Sequence, residues 1–93
     1  MKVYWTQEAE QDRDDIWTYI AADNPASAAR LDATFDVAAA SLREFPERGR
    51  AGRVSGTREL MPHASYRMVY EVDGEAVVIL ALVHSARLWP PAR

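Results

Sequence analysis

"YRMVYEVDGEAVVILALVH", residues 66–84, is the stretch that decides the fold. Residues 66–72 alternate in character, Asp73-Gly74 is a two-residue hairpin signal, and residues 76–83 form an unbroken apolar run. Two strands joined by a tight turn predict an antiparallel pair. A turn at Asp73-Gly74 places Val72 opposite Glu75. In that register Tyr66, Met68 and Tyr70 share a face with Ala81, Ile79 and Val77. Arg67, Val69 and Glu71 share the other face with Leu80, Val78 and Ala76, and His63 falls opposite His84, on the Arg67 side. A strand apolar on both faces needs cover on both sides.

Upstream, Val3-Tyr4-Trp5 reads as a short strand and Thr6 as the N-cap of a helix over about 7–22, with Ala9, Ile16, Trp17 and Ile20 on its apolar stripe. Asp23-Asn24-Pro25 breaks the chain and restarts it, with Asn24 as N-cap and Pro25 in the first turn. The second helix, about 25–44, carries Ala28, Leu31, Phe35, Ala38, Leu42 and Phe45 as a seam with alternating steps of three and four. Pro46 closes it. "PERGRAGRVSGT", residues 46–57, is a loop with three glycines and three arginines, and residues 58–61 form a short strand. The order β-α-α-β-β-β predicts an α+β fold: an N-terminal strand, a helical hairpin and a mostly antiparallel C-terminal three-stranded meander. One hairpin covers one face of the sheet. The second face then reads as a partner site; the alternative is that Trp89 and the proline tail fold back over it.

Ninety-three residues predict one domain, 1–93, with 48% hydrophobic and 27% charged residues in the range of a globular chain. There is no cysteine, which excludes disulfides and thiolate metal sites and fits a reducing compartment. "MKVYWTQEAEQDRDD" lacks the apolar core of a signal peptide, and no run reaches the ~18 apolar residues of a membrane span, so the expected location is the cytoplasm with no membrane partner. The net charge of −3 is uneven. Residues 1–45 hold four cations and nine acids, whereas residues 46–93 hold seven arginines, no lysine and five acids. Arginine is the better fork for carboxylate or phosphate, so a polyanion or acidic partner is expected on the C-terminal half.

No phosphate loop, zinc spacing or nucleophile elbow is present, and two histidines make a poor metal site; neither metal nor cofactor is expected. Asp14 and Asp15 are adjacent on a helix and diverge. The constellation that could carry chemistry is Arg67, His84 and Arg87, with Tyr66 and Tyr70 nearby. RNA cleavage needs a base, an acid and cations for the developing phosphorane, and histidine and arginines can supply them. The structural alternative is that Arg67 pairs with Glu71 and His84 ends the strand. Net negative charge weighs against an enzyme of large polyanions.

"FPERGR" (45–50), "TREL" (57–60), residues 66–84 and "ARLWP" (86–90) resemble the RelE/ParE superfamily of toxins from bacterial type II toxin–antitoxin modules, and the arginine loop and the H-x-x-R-x-W-P ending resemble its ParE branch. The resemblance spans nearly the whole chain. It implies a toxin neutralised by a cognate antitoxin in a complex, a heterotetramer or larger, with DNA gyrase as target and no chemistry of its own. Candidate antitoxin- or target-binding residues are Arg48, Arg50, Arg53, Arg58, Arg67, His84, Arg87 and Trp89. The RelE branch implies instead a ribosome-dependent mRNA endonuclease. Arg67 matches that branch's strand arginine and Arg87 falls near its second, but the lysine cluster is absent, Lys2 being the sole lysine, and no tyrosine follows Tyr70. A third reading is an inactive homologue that binds only its antitoxin.

Overall fold

The computed structural model describes residues 1–91. The chain runs β1 (Lys2–Trp5), α1 (Gln7–Ala21), α2 (Pro25–Ser41), β2 (Arg50–Ala51), β3 (Thr57–His63), β4 (Tyr66–Asp73) and β5 (Ala76–His84). The strands form one sheet in the order β1-β5-β4-β3-β2, with β1 parallel to β5 and every other pair antiparallel. The α+β order expected from the sequence holds. The structure adds β2, a two-residue strand inside the arginine loop, too short to show a period of two, and it lengthens β3 at both ends.

Single residues do several jobs at the joins. The Thr6 hydroxyl oxygen accepts from Ala9 N at 3.1 Å and starts α1, while the Thr6 N–H donates to the Ile79 carbonyl at 3.0 Å. Asn24 Oδ1 accepts from Ser27 N at 3.0 Å and starts α2. Arg13 crosses from α1 to α2, 2.6 Å from Asp32 and 2.8 Å from Asp36, with its guanidinium 4.9 Å from the Trp5 ring centre. Ala28, Leu31, Phe35, Ala38 and Leu42 of the expected seam are buried. Phe45 is not: α2 ends at Ser41, the chain turns, and Phe45 is left 60% exposed. The hairpin lies on one face of the sheet, where Phe35 and Leu42 meet Met68, Tyr70, Val77, Ile79 and Leu82. Full burial of each large side chain contributes about 1.5–3 kcal/mol.

The β4–β5 register differs from the expected one in two places. The turn residues are Gly74 and Glu75, flanked by the pair Asp73 and Ala76. Gly74 has φ of 60° while Glu75 keeps a negative φ, the pattern in which glycine takes the first turn position. The pairing then runs Val72 with Val77 to Tyr70 with Ile79, and shifts by one between Val69 and Tyr70. Leu80 is the extra residue of a β-bulge, and everything beyond it changes face. Leu82 therefore joins the helix side. Ala81, expected beside Tyr66, joins Val69 and Val83 on the other. His84 sits opposite Tyr66, not opposite His63.

Part of the second face is closed by the chain itself, which narrows the expected bare patch to the β1 end, where Tyr4 is 51% exposed and Val78 half-buried. After His84 a turn (Arg87 N–H to the His84 carbonyl, 2.9 Å) reverses the chain and returns Trp89 onto Val69, Ala81 and Val83. Those three side chains are 0%, 2% and 9% exposed without any partner.

Tyr70, fully buried, fixes the arginine loop. Its hydroxyl donates to the Pro46 carbonyl and accepts from Gly49 N, each at 2.8 Å. A Cβ on Gly49 would stand 2.8 Å from the Tyr70 ring and 2.9 Å from the Glu59 carbonyl oxygen, so only glycine allows the approach. Tyr70→Phe leaves a buried donor and acceptor unmade and is expected to cost about 1–3 kcal/mol. The urea midpoint should fall with unchanged slope; an unchanged midpoint would show that the loop is held elsewhere.

Candidate functional site

Arg67 lies on the tail side of the sheet. Its partner is Glu59, a diagonal neighbour on β3, not Glu71 of its own strand: Nη1 is 2.9 Å from Glu59 Oε1. Glu59 Oε2 accepts from Arg53 N at 3.1 Å, and Arg67 Nη2 donates to the Arg87 carbonyl. The Arg67 and Glu59 side chains are 13% and 5% exposed. One ion pair thus joins the arginine loop, the sheet and the tail. Burial alone would raise the Glu59 pKa; the Arg53 N–H, the hydrogen bond and charge of Arg67 and the charge of Arg50 outweigh it and hold the carboxyl below its ordinary 4.5.

His84 is on the opposite face. Beside the bulge-shifted pair Arg67–Val83 comes Tyr66–His84, with rings 5.6 Å apart and edge to face, and the Tyr66 ring also meets Phe35 at 5.8 Å. The one-residue alternation along a strand sends Arg67 to the tail side and His84 to the helix side. The sheet separates Arg67 from His84, whereas Arg87 and His84 line one groove. His84 Nδ1 accepts from Ala86 N at 3.2 Å and His63 Nδ1 from Ser65 N at 3.0 Å. With Nδ1 accepting, the neutral ring carries its proton on Nε2 and has no free lone pair for a general base. Arg87 is exposed, and its carbonyl rather than its guanidinium meets Arg67.

The loop arginines are mostly unopposed. Arg58 donates to the Glu47 and Gly49 carbonyls at 3.2 and 2.8 Å, Arg48 donates to Ser41 Oγ at 2.9 Å, and Arg50 and Arg53 are exposed. Among the described residues the ion pairs involve Arg13 and Arg67, not these four. No three His, Cys, Asp or Glu side chains among the described residues converge on a point that could hold a metal.

A groove of about 1530 Å³ opens between the hairpin, the β5 edge and the tail. Ile16, Ile20, Leu31, Leu80 and Leu82 line its apolar part; Glu8, Asp12 and Asp15 line it from α1. It exists because β1 pairs with β5 only from Ala76 to Ile79. Past that point α1 supplies substitutes for a neighbouring strand: the Thr6 hydroxyl donates to the Leu80 carbonyl at 3.3 Å, and Asp12 Oδ2 accepts from Leu82 N at 3.1 Å. Burial raises the Asp12 pKa, the Leu82 hydrogen bond opposes the rise, and the charges of Asp15 and Glu8 add to it. Neither Glu59 nor Asp12 stood out in the sequence. The signal for Asp12 was its place on the edge of the α1 apolar stripe; for Glu59 it was an acid at an inward β3 position.

Comparison with known proteins agrees with this fold. Residues 3–89 match the model of the ParE toxin of type II toxin–antitoxin systems. A Sinorhizobium fredii protein, Y4kP, whose name marks it as a toxin candidate, is 37% identical over 90 residues, covering 96% of this chain and 93% of its own. Toxin RelE2 of Caulobacter vibrioides is 38% identical over 87 residues, covering 94% and 98%. Among solved structures, a chain of a chromosomal ParDE system from P. aeruginosa superposes with a TM-score of 0.79 at 24% identity, over 90% of this chain and 95% of that one. The family match and these relatives define a toxin of the RelE/ParE superfamily. The chain belongs to the ParE toxin family of type II toxin–antitoxin systems.

The two perturbed carboxylates should act on stability with opposite sign. The Glu59 pKa is lower folded than unfolded, so its stabilisation is complete above about pH 4.5 and is lost as pH falls through the folded value. Glu59→Gln should cost about 3 kcal/mol at pH 7, because Arg67 keeps a largely buried charge without its partner, and less at pH 3. The Asp12 pKa is higher folded than unfolded, so ionisation disfavours folding as pH rises past 3.8. Asp12→Asn keeps an acceptor for Leu82 N and should leave stability at pH 7 equal or higher. Urea titrations at both pH values check both signs.

Proposed function

We propose that this chain is the toxin of a ParE-like module that inhibits DNA gyrase in the cytoplasm by binding, without chemistry of its own, and that its cognate antitoxin neutralises it. The observation that carries the reading is that Arg67 is set apart from His84 and Arg87, which both line the groove. Arg67 is neutralised by Glu59 under the tail, and His84 faces the other side with its lone pair engaged. Opposite faces of the sheet hold these two groups, and a nuclease needs a base and cations converging on one atom. The unopposed arginines Arg48, Arg50, Arg53 and Arg58 form the surface left for a target. The antitoxin occupies the groove beside β5.

The second reading, a RelE-like ribosome-dependent mRNA endonuclease, draws support from the name of the Caulobacter relative. Purified toxin is tested for inhibition of gyrase supercoiling and for mRNA cleavage on ribosomes, as wild type, His84→Ala and a form lacking residues 86–93. The expected outcome is inhibited supercoiling, a small effect of His84→Ala, and a larger loss on truncation, because the tail carries Trp89 and Arg87. Cleaved mRNA that disappears in His84→Ala, with gyrase unaffected, would replace the first reading by the second; removal of one catalytic group typically costs about 10²–10³ in rate.

A further inference from the structure

We infer that the antitoxin segment seated in the groove is amphipathic with a basic edge, its cationic side chains lying along Glu8, Asp12 and Asp15 of α1. The inference rests on the groove being the antitoxin's place and adds the chemistry of what fills it. Glu8, Asp12 and Asp15 stand at steps of four and three, one stripe of α1, and all three line the groove. Among the described residues none of them is in an ion pair, since the one arginine of α1, Arg13, is turned to Asp32 and Asp36. Glu8 and Asp15 are exposed and Asp12 is partly buried at the strand edge, where its carboxylate accepts from Leu82 N. Gln11 Nε2 donates to Asp15 Oδ1 at 2.8 Å, so an apolar floor, a strand edge met only by side chains and a row of carboxylates without cationic partners share one groove.

The groove also carries cations: Arg30 lines it from α2, with its Nη2 on Ser27 Oγ at 2.9 Å, and Arg87 lines it from the tail. A segment lying here has its apolar residues against Ile16, Ile20, Leu31 and Leu82, its cations toward α1, and acidic or neutral residues toward Arg30 and Arg87. The two-signed groove fixes which way round the segment lies, because charge complementarity sets register and on-rate while apolar anchors set affinity. The net charge of −3 also favours a partner that presents positive charge here rather than negative.

The test uses the toxin and the antitoxin encoded beside it. Binding is measured at low and high salt for wild type and for Glu8→Gln/Asp12→Asn/Asp15→Asn, with Glu8→Gln/Asp15→Asn as the variant that leaves the Leu82 hydrogen bond untouched. Hydrogen exchange at residues 80–84 reports whether the groove is filled. The expected result is protection at 80–84 on binding, about tenfold weaker binding of either variant at low salt, and a flatter salt dependence. Protection with unchanged or tighter binding of both variants would overturn the basic edge and leave the groove as the antitoxin site. No protection at 80–84 in a tight complex would overturn the groove itself.

Discussion

Strand β5 has two apolar faces and an edge that β1 covers only in part, and the rest of the molecule is arranged around covering it. The helical hairpin takes one face. The tail, turned back after His84, takes the distal part of the other through Trp89. The bulge at Leu80 makes both closures work at once. Without it Ala81 would face the helices where Leu82 now packs, and a small side chain would stand in a space that needs a large one. The extra residue also divides the strand into a half paired with β1 and a half whose edge lines the groove.

The same geometry governs the chemistry available to the chain. Arg67 is on the face that the tail closes, so its charge has to be compensated inside the protein. Glu59 does so, and its second oxygen reaches the loop through Arg53 N while Arg67 reaches the tail through the Arg87 carbonyl. A buried pair of this kind adds little net stability over apolar packing, but removing one member is costly. Its contribution here is geometric: the arginine loop and the tail that bears Arg87 are held to one sheet. Loop arginines that bond to backbone and hydroxyl oxygens keep their full charge for an external partner, whereas Arg67 does not.

An open strand edge invites pairing with another chain. At residues 80–82 the hairpin blunts that edge with a hydroxyl and a carboxylate, so the strand is satisfied in the free protein and yet not covered by a strand. The floor beside it stays apolar. A partner that displaces or joins these contacts gains both main-chain and apolar surface, which is consistent with a family whose toxins act with a cognate antitoxin.

Much of this was legible in the residues alone. Thr6 and Asn24-Pro25 marked the helix starts, the seam from Ala28 to Leu42 marked the buried face of α2, and residues 66–84 marked the central hairpin, because caps, periodicity and apolar runs are local properties of the chain. The sequence also determined that β5 had to be covered twice. Which cover it would have was decided in three dimensions. The turn at Gly74-Glu75 and the bulge at Leu80 depend on how β4 and β5 fit the helices and each other, and a shift of one residue reverses every side chain beyond it. That shift separated His84 from Arg67, while the β3–β4 pairing gave Arg67 to Glu59 rather than Glu71 and the returning tail covered Val69, Ala81 and Val83. Residue types named the possible chemistry, and only the register decided which of them could meet, since contact across a sheet is set by pairing and not by distance along the chain.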